Sequence, residues 1–242
     1  MADRALVDAA SRGDSAAVGR LLADPLVDPA ADDNLAIRAA AEENRAEVVT
    51  LLLADPRVDP AADDNFAIGR AALHGHAGVV ALLLAHPRVD PSAHDNLAIR
   101  FAAENGHAGV AALLLAHPRV DPTARDGEAI RRAASRGHAG VVALLLADPR
   151  VDPAADGGLA LWRAAENGHA ETVALLLADS RVHPAAGNHH AIQRAAENGH
   201  AEVLSLLLAD PRVNPPTDQL RDWVRRGNWP RRGRGPPGGP PR

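Results

Sequence analysis

The strongest constraint on the fold of this chain is an internal repeat with a constant period of 31 residues. The stretch ADPRV, or a close variant of it, ends in a valine that recurs at positions 27, 58, 89, 120, 151, 182 and 213. Equal spacing without insertions means that every copy occupies an equivalent place in a regular stack. The sequence therefore predicts one array of about seven units over residues 1–213.

Each unit contains two apolar patterns with helical spacing, as in Leu97, Ile99 and Ala102 and again over residues 110–115. The first pattern ends at a glycine in six copies and at Asn44 in the other, which is typical of a left-handed helix C-terminus. The second pattern ends at Asp-Pro or His-Pro in most copies, because proline cannot continue a helix. We therefore predict two short helices per unit, joined to the next unit by a short extended link, in an all-α helix-turn-helix solenoid.

The consensus AAENGHAEVVALLL resembles the ankyrin repeat, whose usual signature reads TPLHxAAxxGHxxVVxLLL. In one copy the residues that match this signature are Ala164, Ala165, Gly168, His169, Val173, Leu175, Leu176 and Leu177. The sequence departs from the family in two ways: LAIR or FAIG replaces TPLH, and the unit has 31 residues where the family has about 33. The shortening falls in the link, so the resemblance implies smaller protruding fingers than the family has.

The segment ENGHAE occurs twice, at residues 166–171 and 197–202, and its carboxylate, amide and histidine could suggest chemistry. Packed helices lie about 8 to 10 Å apart, so equivalent histidines in adjacent units cannot share a zinc ion that needs bonds of about 2 Å. The resemblance implies a structural histidine at the start of the second helix. The scattered serines have no nucleophile motif, and the aspartates of the links lack the ligand density of calcium loops. We expect no enzymatic activity and no cofactor or metal.

Composition places the chain among soluble intracellular proteins, and we expect a cytoplasmic location. The sequence has no cysteine, no apolar run long enough to cross a bilayer and no basic start followed by an apolar signal segment. We expect a monomer with no membrane association.

Recognition residues are expected where the copies differ, because packing determines the shared positions. The copies differ at four positions of the first helix, of which the last three lie one, four and five residues after the first. Side chains with this spacing lie on one face of the helix. The four series are Arg38, Gly69, Arg100, Arg131, Trp162 and Gln193; Ala39, Arg70, Phe101, Arg132, Arg163 and Arg194; Glu42, Leu73, Glu104, Ser135, Glu166 and Glu197; and Glu43, His74, Asn105, Arg136, Asn167 and Asn198.

The resemblance implies that this face lines the concave groove in which ankyrin proteins hold partners. The candidate partner-binding residues are Leu73, His74, Arg100, Phe101, Glu104, Arg131, Arg132, Arg136, Trp162 and Arg163. In the family the first two series are partly buried, so their arginines could instead extend between neighbouring helices.

Aromatic residues are scarce in this chain, and two of them fall in the varied series. Because aromatic residues and arginine dominate interface hot spots, we hypothesise that Phe101, Arg132 and Trp162 form the anchor of a protein-binding groove. The alternative is that Phe101 and Trp162 fill gaps in a core rich in alanine.

Charge is distributed unevenly along the chain. The net charge of the link is −4 in the first copy, −3 in the second and 0 in the last, which favours a basic partner segment at the N-terminal half. Acidic links can also be simple solvated turns.

Residues 214–242 carry seven arginines and two aspartates. Residues 214–229 are predicted to form a degenerate C-terminal cap, and the Arg/Gly/Pro-rich residues 230–242 a disordered tail. The main interpretation is a non-enzymatic protein-interaction scaffold. The alternatives are nucleic-acid contact through the basic tail and an inert array within a larger assembly.

Overall fold

The computed structural model describes residues 2–213, and over this range the chain forms fourteen α-helices and no strand. The helices form seven consecutive pairs, which confirms the predicted all-α repeat solenoid. The helices are α1 Ala2–Arg12, α2 Ser15–Leu22, α3 Ala31–Glu42, α4 Ala46–Ala54, α5 Ala62–Leu73, α6 Ala77–Leu84, α7 Ala93–Glu104, α8 Ala108–Leu115, α9 Ala124–Arg136, α10 Ala139–Ala147, α11 Ala155–Glu166, α12 Ala170–Ala178, α13 Ala186–Glu197 and α14 Ala201–Ala209.

The helices form two layers. The odd-numbered first helices pack against each other in chain order, as do the even-numbered second helices, and each first helix packs on the second helix of its own pair. The core between the layers consists of small aliphatic side chains, such as Ala102, Ala103, Val110 and Leu114 in one pair, each at most 1% exposed. Alanine pairs bring neighbouring first helices close together, so the core needs no aromatic residue.

A histidine at the start of the second helix joins each pair to the preceding one. The Nε2–H of His138 donates to the carbonyl oxygen of Glu104 at 2.9 Å, and His76, His107, His169 and His200 make the equivalent bond. Arg45 takes this role in the second pair by donating from Nε to the carbonyl of Ser11 at 2.8 Å. The acceptor is a carbonyl at the end of a first helix, which has no partner within that helix. We call this series of bonds the histidine seam.

Six of the seven first helices are followed by a glycine, and Gly106 illustrates its two structural roles, whereas Asn44 takes this place after α3 with φ +58°. Gly106 has φ +76°, which is the left-handed conformation predicted for this position. A Cβ atom on Gly106 would also lie 2.6 Å from Nδ1 of His138 in the next pair. Glycine therefore both ends the helix and makes room for the histidine seam.

The links differ from the short extended segment that the sequence predicts. Near the start of five first helices, three consecutive residues adopt the left-handed conformation, namely residues 32–34, 63–65, 94–96, 125–127 and 156–158. Asparagine, aspartate and glycine occupy most of these positions and are the residues that tolerate this conformation best. The third residue also joins the pairs, because Oδ1 of Asn65 accepts the backbone N–H of Asp90 at 2.7 Å.

An arginine in each link from the second pair onward binds the preceding link. Arg150 donates to the carbonyl of Val120 at 2.7 Å, and its guanidinium also pairs with Asp148 at 2.6 Å. Arg57, Arg181 and Arg212 repeat this arrangement with an aspartate two residues earlier. The hydrogen bonds from Arg150 lower the pKa of the Asp148 carboxyl, although partial burial acts in the opposite direction. The aspartate holds the guanidinium toward the valine carbonyl.

Substitution of Gly106 by alanine tests the double requirement at this position. We expect Gly106→Ala to destabilise the fold by more than the conformational cost of about 1 kcal/mol, because the new Cβ clashes with the His138 ring. In a His138→Ala background the same substitution should cost only about 1 kcal/mol. Equilibrium urea unfolding of the two single variants and the double variant measures the difference. Equal costs in both backgrounds would contradict the steric role of the ring.

The Asp148 and Arg150 pair predicts a pH dependence. Because the pKa of folded Asp148 is lowered, the pair stabilises the fold above the ordinary aspartate pKa of about 4, and this stabilisation is lost as pH falls through the lower folded value. Asp148→Asn should therefore lower the free energy of unfolding by about 0.5 to 1 kcal/mol at pH 7 and make no difference in strong acid.

Urea unfolding at a series of pH values measures this effect. Asp64→Asn serves as the control, because Asp64 has an 84% exposed side chain, and we expect a change of less than about 0.5 kcal/mol. A deficit of Asp148→Asn that stayed constant into strong acid would refute the assignment.

Candidate functional site

The varied series of the first helices lie outside the buried core. In α7, Ala98, Ile99 and Ala102 are buried, whereas Phe101 and Glu104 are partly exposed. In each copy, one additional position lies three residues before the first varied position. We call the side chains of the four varied series and of this additional series the variable face. The additional series is Leu35, Phe66, Leu97, Glu128, Leu159 and His190.

Arginines and glutamates on the variable face form a network between α7 and α9. Arg132 pairs with Glu104 of the preceding pair and donates from Nε to Glu128 at 2.8 Å. Arg100 donates to the other oxygen of Glu128 at 2.6 Å, and Arg136 pairs with Glu104. This network brings together four of the predicted site residues, Arg100, Glu104, Arg132 and Arg136.

Glu128 is the central acceptor of this network. Burial raises the pKa of its carboxyl, but hydrogen bonds from Arg132 and Arg100 outweigh this effect and lower the pKa overall. Arg100 is only 5% exposed, so it depends on Glu128 for a counterion. Arg100 therefore lies beneath the surface, whereas the side chain of Arg136 is 55% exposed.

The arginines of the first series also support the left-handed turns. Arg131 donates to the carbonyl of Arg125 in its own turn at 2.8 Å and to Asp156 of the next pair at 3.0 Å. Arg38 makes the equivalent bonds to the carbonyl of Asp32 and to Asp63. These arginines extend between neighbouring turns, as one of the two sequence interpretations expected.

Phe101 lines a cavity of about 190 Å³ between α5 and α7. The opposite side of this cavity is formed by Phe66 and by Gly69, which stands where other copies have Arg38, Arg100, Arg131, Trp162 or Gln193. The guanidinium groups of Arg38 and Arg70 lie 5.3 and 5.6 Å from the centre of the Phe66 ring. The cavity thus lies at the open surface of the array.

Trp162 lines a second cavity of about 170 Å³ between α11 and α13. Its indole ring stacks on His190 with the ring centres 5.5 Å apart, and the Arg163 guanidinium lies 4.8 Å from the indole. Arg163 also pairs with Glu166 at 2.8 Å. The structure therefore surrounds Trp162 with partners from its own chain.

The C-terminal ends of the first helices form a polar part of the variable face. His74 is exposed, its Nε2 lies 3.8 Å from Oε1 of Glu42, and its ring stacks on His76. Leu73, next to it, is partly buried, and its carbonyl accepts the bond of the histidine seam from His107. Further along, an open groove is lined by Glu104, Asn105, Ser135, Arg136, His138, Asn167 and His169.

The three residues of the hypothesised anchor lie at separate places on the variable face. Phe101 and Trp162 line different cavities, and Arg132 lies with Arg163 and Leu159 in a groove between them. Neither aromatic residue is part of the buried core. Sequence reasoning missed Phe66, Glu128 and His190, although variation at their common position from copy to copy was a usable signal.

The variable face combines charged and apolar side chains. Its charged groups are mostly paired with each other, and its apolar groups line two small cavities. Among residues 2–213, no group of three or more histidine, aspartate or glutamate side chains lies close enough to hold a metal ion. The predicted cap at 214–229 and tail at 230–242, with their possible nucleic-acid contacts, lie outside the described residues.

Stacked helix pairs with buried shared positions and a varied exposed face define the class of helical repeat proteins. Within that class, a family model for ankyrin repeats in three copies matches residues 37–126 and again residues 129–217. The chain therefore belongs to the ankyrin repeat family. No curated protein matches it. No helix among residues 2–213 is both long and apolar enough to span a membrane.

Removal of the charge on Glu128 tests its central role. We expect Glu128→Gln to lower the free energy of unfolding by about 2 kcal/mol, because the buried Arg100 loses its counterion. Glu197→Gln is the matched control, since Glu197 pairs with the more exposed Arg194, and it should cost less than about 1 kcal/mol. Urea unfolding measures both values. Equal losses would show that Glu128 makes only an ordinary surface ion pair.

Proposed function

We propose that this chain is a non-enzymatic protein-interaction scaffold that binds a partner along the variable face and the links between repeats. Ankyrin repeats generally mediate protein–protein interactions, and this family assignment supports the proposal. In this proposal the chain acts as a monomer in the cytoplasm, and its partner is another protein.

The observation that carries the proposal is the separation of shared and varied positions. The shared residues are used in packing: the alanine pairs and valines fill the core, and the histidines and glycines form the histidine seam. Most of the varied residues, in contrast, are at least partly exposed along neighbouring first helices, with Arg100 and Gly69 as buried exceptions. A rigid stack holds these side chains in place before a partner arrives, so binding costs little ordering entropy on this side.

The candidate residues have different roles in this proposal. Leu73, His74, Phe101, Arg136, Trp162 and Arg163 contact the partner directly, because each is at least partly exposed. Glu104, Arg131 and Arg132 present charge from within ion pairs. Arg100 acts as a positioning residue, because it is buried beneath Glu128.

Charge supports a basic partner segment at the N-terminal half. Several link aspartates there are exposed, and Asp64 has only the imidazole of His94, at 3.8 Å, as a nearby cation. Arginines are instead concentrated on α9, which carries Arg125, Arg131, Arg132 and Arg136. A partner would therefore bind in one direction along the array.

Site-specific photo-cross-linking in cells tests which face binds. We expect a photoreactive phenylalanine derivative at His74, Asn105, Arg136 or Asn167 to yield adducts with one partner protein. The same derivative at Ala81, Ala112, Ala143 or Ala174 should yield no such adduct, because these exposed residues lie on the second helices.

Mass spectrometry identifies the adducts. The two sets of positions have the same 31-residue spacing and carry the same reactive group, so they differ only in the face of the array on which they lie. Adducts from the second-helix set alone would overturn the proposed face, and an adduct with nucleic acid alone would overturn the class of partner.

A further inference from the structure

The cavity between α5 and α7 exists because one copy lacks a side chain. Gly69 is a buried residue within α5, and a Cβ atom added to it would meet no other atom within 4 Å. The equivalent residues Arg38, Arg100 and Arg131 fill this space in their own copies and support the left-handed turn beside it. The absence of the side chain in this copy leaves a cavity of about 190 Å³, which we call the Gly69 socket.

The walls of the Gly69 socket are apolar. Phe66 and Leu97 belong to the additional series of the variable face, Phe101 is one of the predicted site residues, and Ile68 and Ala98 close the inner side. An apolar cavity of about 150 Å³ is large enough to bind benzene. One phenyl-sized side chain from another molecule therefore matches the Gly69 socket in volume and in chemistry.

The rim of the socket is acidic. Its lining includes the carboxylates of Asp63, Asp64 and Asp90 and one guanidinium, that of Arg70. Arg70 is engaged with Glu42, while Asp64 is 84% exposed. Asp63 pairs with Arg38 and Asp90 lies 3.7 Å from Arg119, which leaves Asp64 as the rim carboxylate without an arginine partner. A side chain that enters the socket therefore brings its neighbouring residues close to the exposed Asp64, which favours lysine or arginine beside it.

We infer that the Gly69 socket receives one bulky apolar side chain from a basic segment of the partner protein. This inference rests on the proposed function and assigns one anchor point on the variable face. The apolar side chain supplies the buried contact with Phe66 and Phe101, and a flanking cation is held by the exposed Asp64.

Substitution of Gly69 by glutamine, the residue that occupies the equivalent place at Gln193, tests the socket in the full chain. The probe is a dye-labelled peptide that contains RRFRR, and its analogue with alanine in place of phenylalanine tests the contribution of charge alone. We expect the alanine analogue to bind the unmodified chain about ten-fold or more weakly than the probe. We expect Gly69→Gln to weaken binding of the probe by about the same factor and to leave binding of the alanine analogue unchanged.

Gly78→Gln is the matched control, because Gly78 lies exposed on α6 and its Cβ also meets nothing within 4 Å. Both substitutions replace a helical glycine and should raise helix stability by a similar amount, so a difference between them reports the cavity. We expect Gly78→Gln to leave binding of the probe unchanged, as measured by fluorescence anisotropy.

Equal binding of probe and analogue, or equal effects of the two glutamine variants, would overturn the socket. Trp229 lies in the Arg-rich residues 214–242. Tighter probe binding by a Trp229→Ala variant would also overturn the assignment to a partner, because these basic residues of the same chain would then be the occupant. Cross-links from the variable face together with an unaffected Gly69→Gln variant would refute the socket and leave the scaffold proposal standing. If those cross-links are absent but the peptide still binds in a way that depends on the socket, the scaffold proposal is refuted and the socket stands.

Discussion

The hydrogen bond from the histidine of one pair to the last carbonyl of the preceding first helix determines how the pairs stack. A carbonyl oxygen can only accept, so Nε2 of His138 must carry the proton, and the ring must lie against Gly106 to reach Glu104. This contact sets both the spacing and the rotation between neighbouring pairs. A Cβ atom on Gly106 would displace the ring, and glycine stands beside four of the five seam histidines, whereas His76 makes the same bond beside Asn44, whose φ is +58°.

Other contacts between pairs vary without changing the stack. Asn65 accepts the N–H of Asp90, but Gly127 and Gly158 at the equivalent positions have no side chain for this bond. Arg150 is held by Asp148, whereas His86 and His117 replace the aspartate beside Arg88 and Arg119. Because these contacts are missing in single copies, they add to the stability of the stack but are not required for it in the way that the histidine seam is. Their loss is tolerated because the pairs on both sides are still held by the seam and by the continuous core.

Much of the fold could be predicted from the sequence, because its determinants are local and recur every 31 residues. A glycine after a helical pattern indicates a left-handed C-terminus wherever it occurs, and a fixed period indicates equivalent packing. The left-handed turns at residues 32–34 and its equivalents were not predicted, since aspartate and asparagine suit many turn types and the turn is held by contacts with the next pair.

The candidate site could be predicted only as a set of positions. Variation showed which residues lie on one face, but their pairing depends on side chains 25 to 32 residues apart that meet only in the stack. Glu128 illustrates this limit, because a single glutamate in a series that is half leucine gives no sign in the sequence that two arginines converge on it. The cavities were beyond prediction for the same reason, since each lies between two first helices from neighbouring copies.

The two cavities illustrate two kinds of departure from the repeat. Trp162 replaces an arginine, and His190, which stands where three other copies have leucine, stacks on its ring beside Arg163, so the substitution is partly compensated within the chain. Gly69 replaces the same arginine, and the neighbouring Phe66 and Phe101 still leave a cavity of about 190 Å³ beside it, while a glycine within a helix costs about 1 kcal/mol relative to alanine. A copy that loses a turn-supporting guanidinium, weakens its helix and leaves apolar walls open is less stable by itself. An apolar cavity kept at such a cost is better explained by an occupant from outside the chain than by packing, so we favour the Gly69 copy over the more conspicuous tryptophan as the recognition candidate.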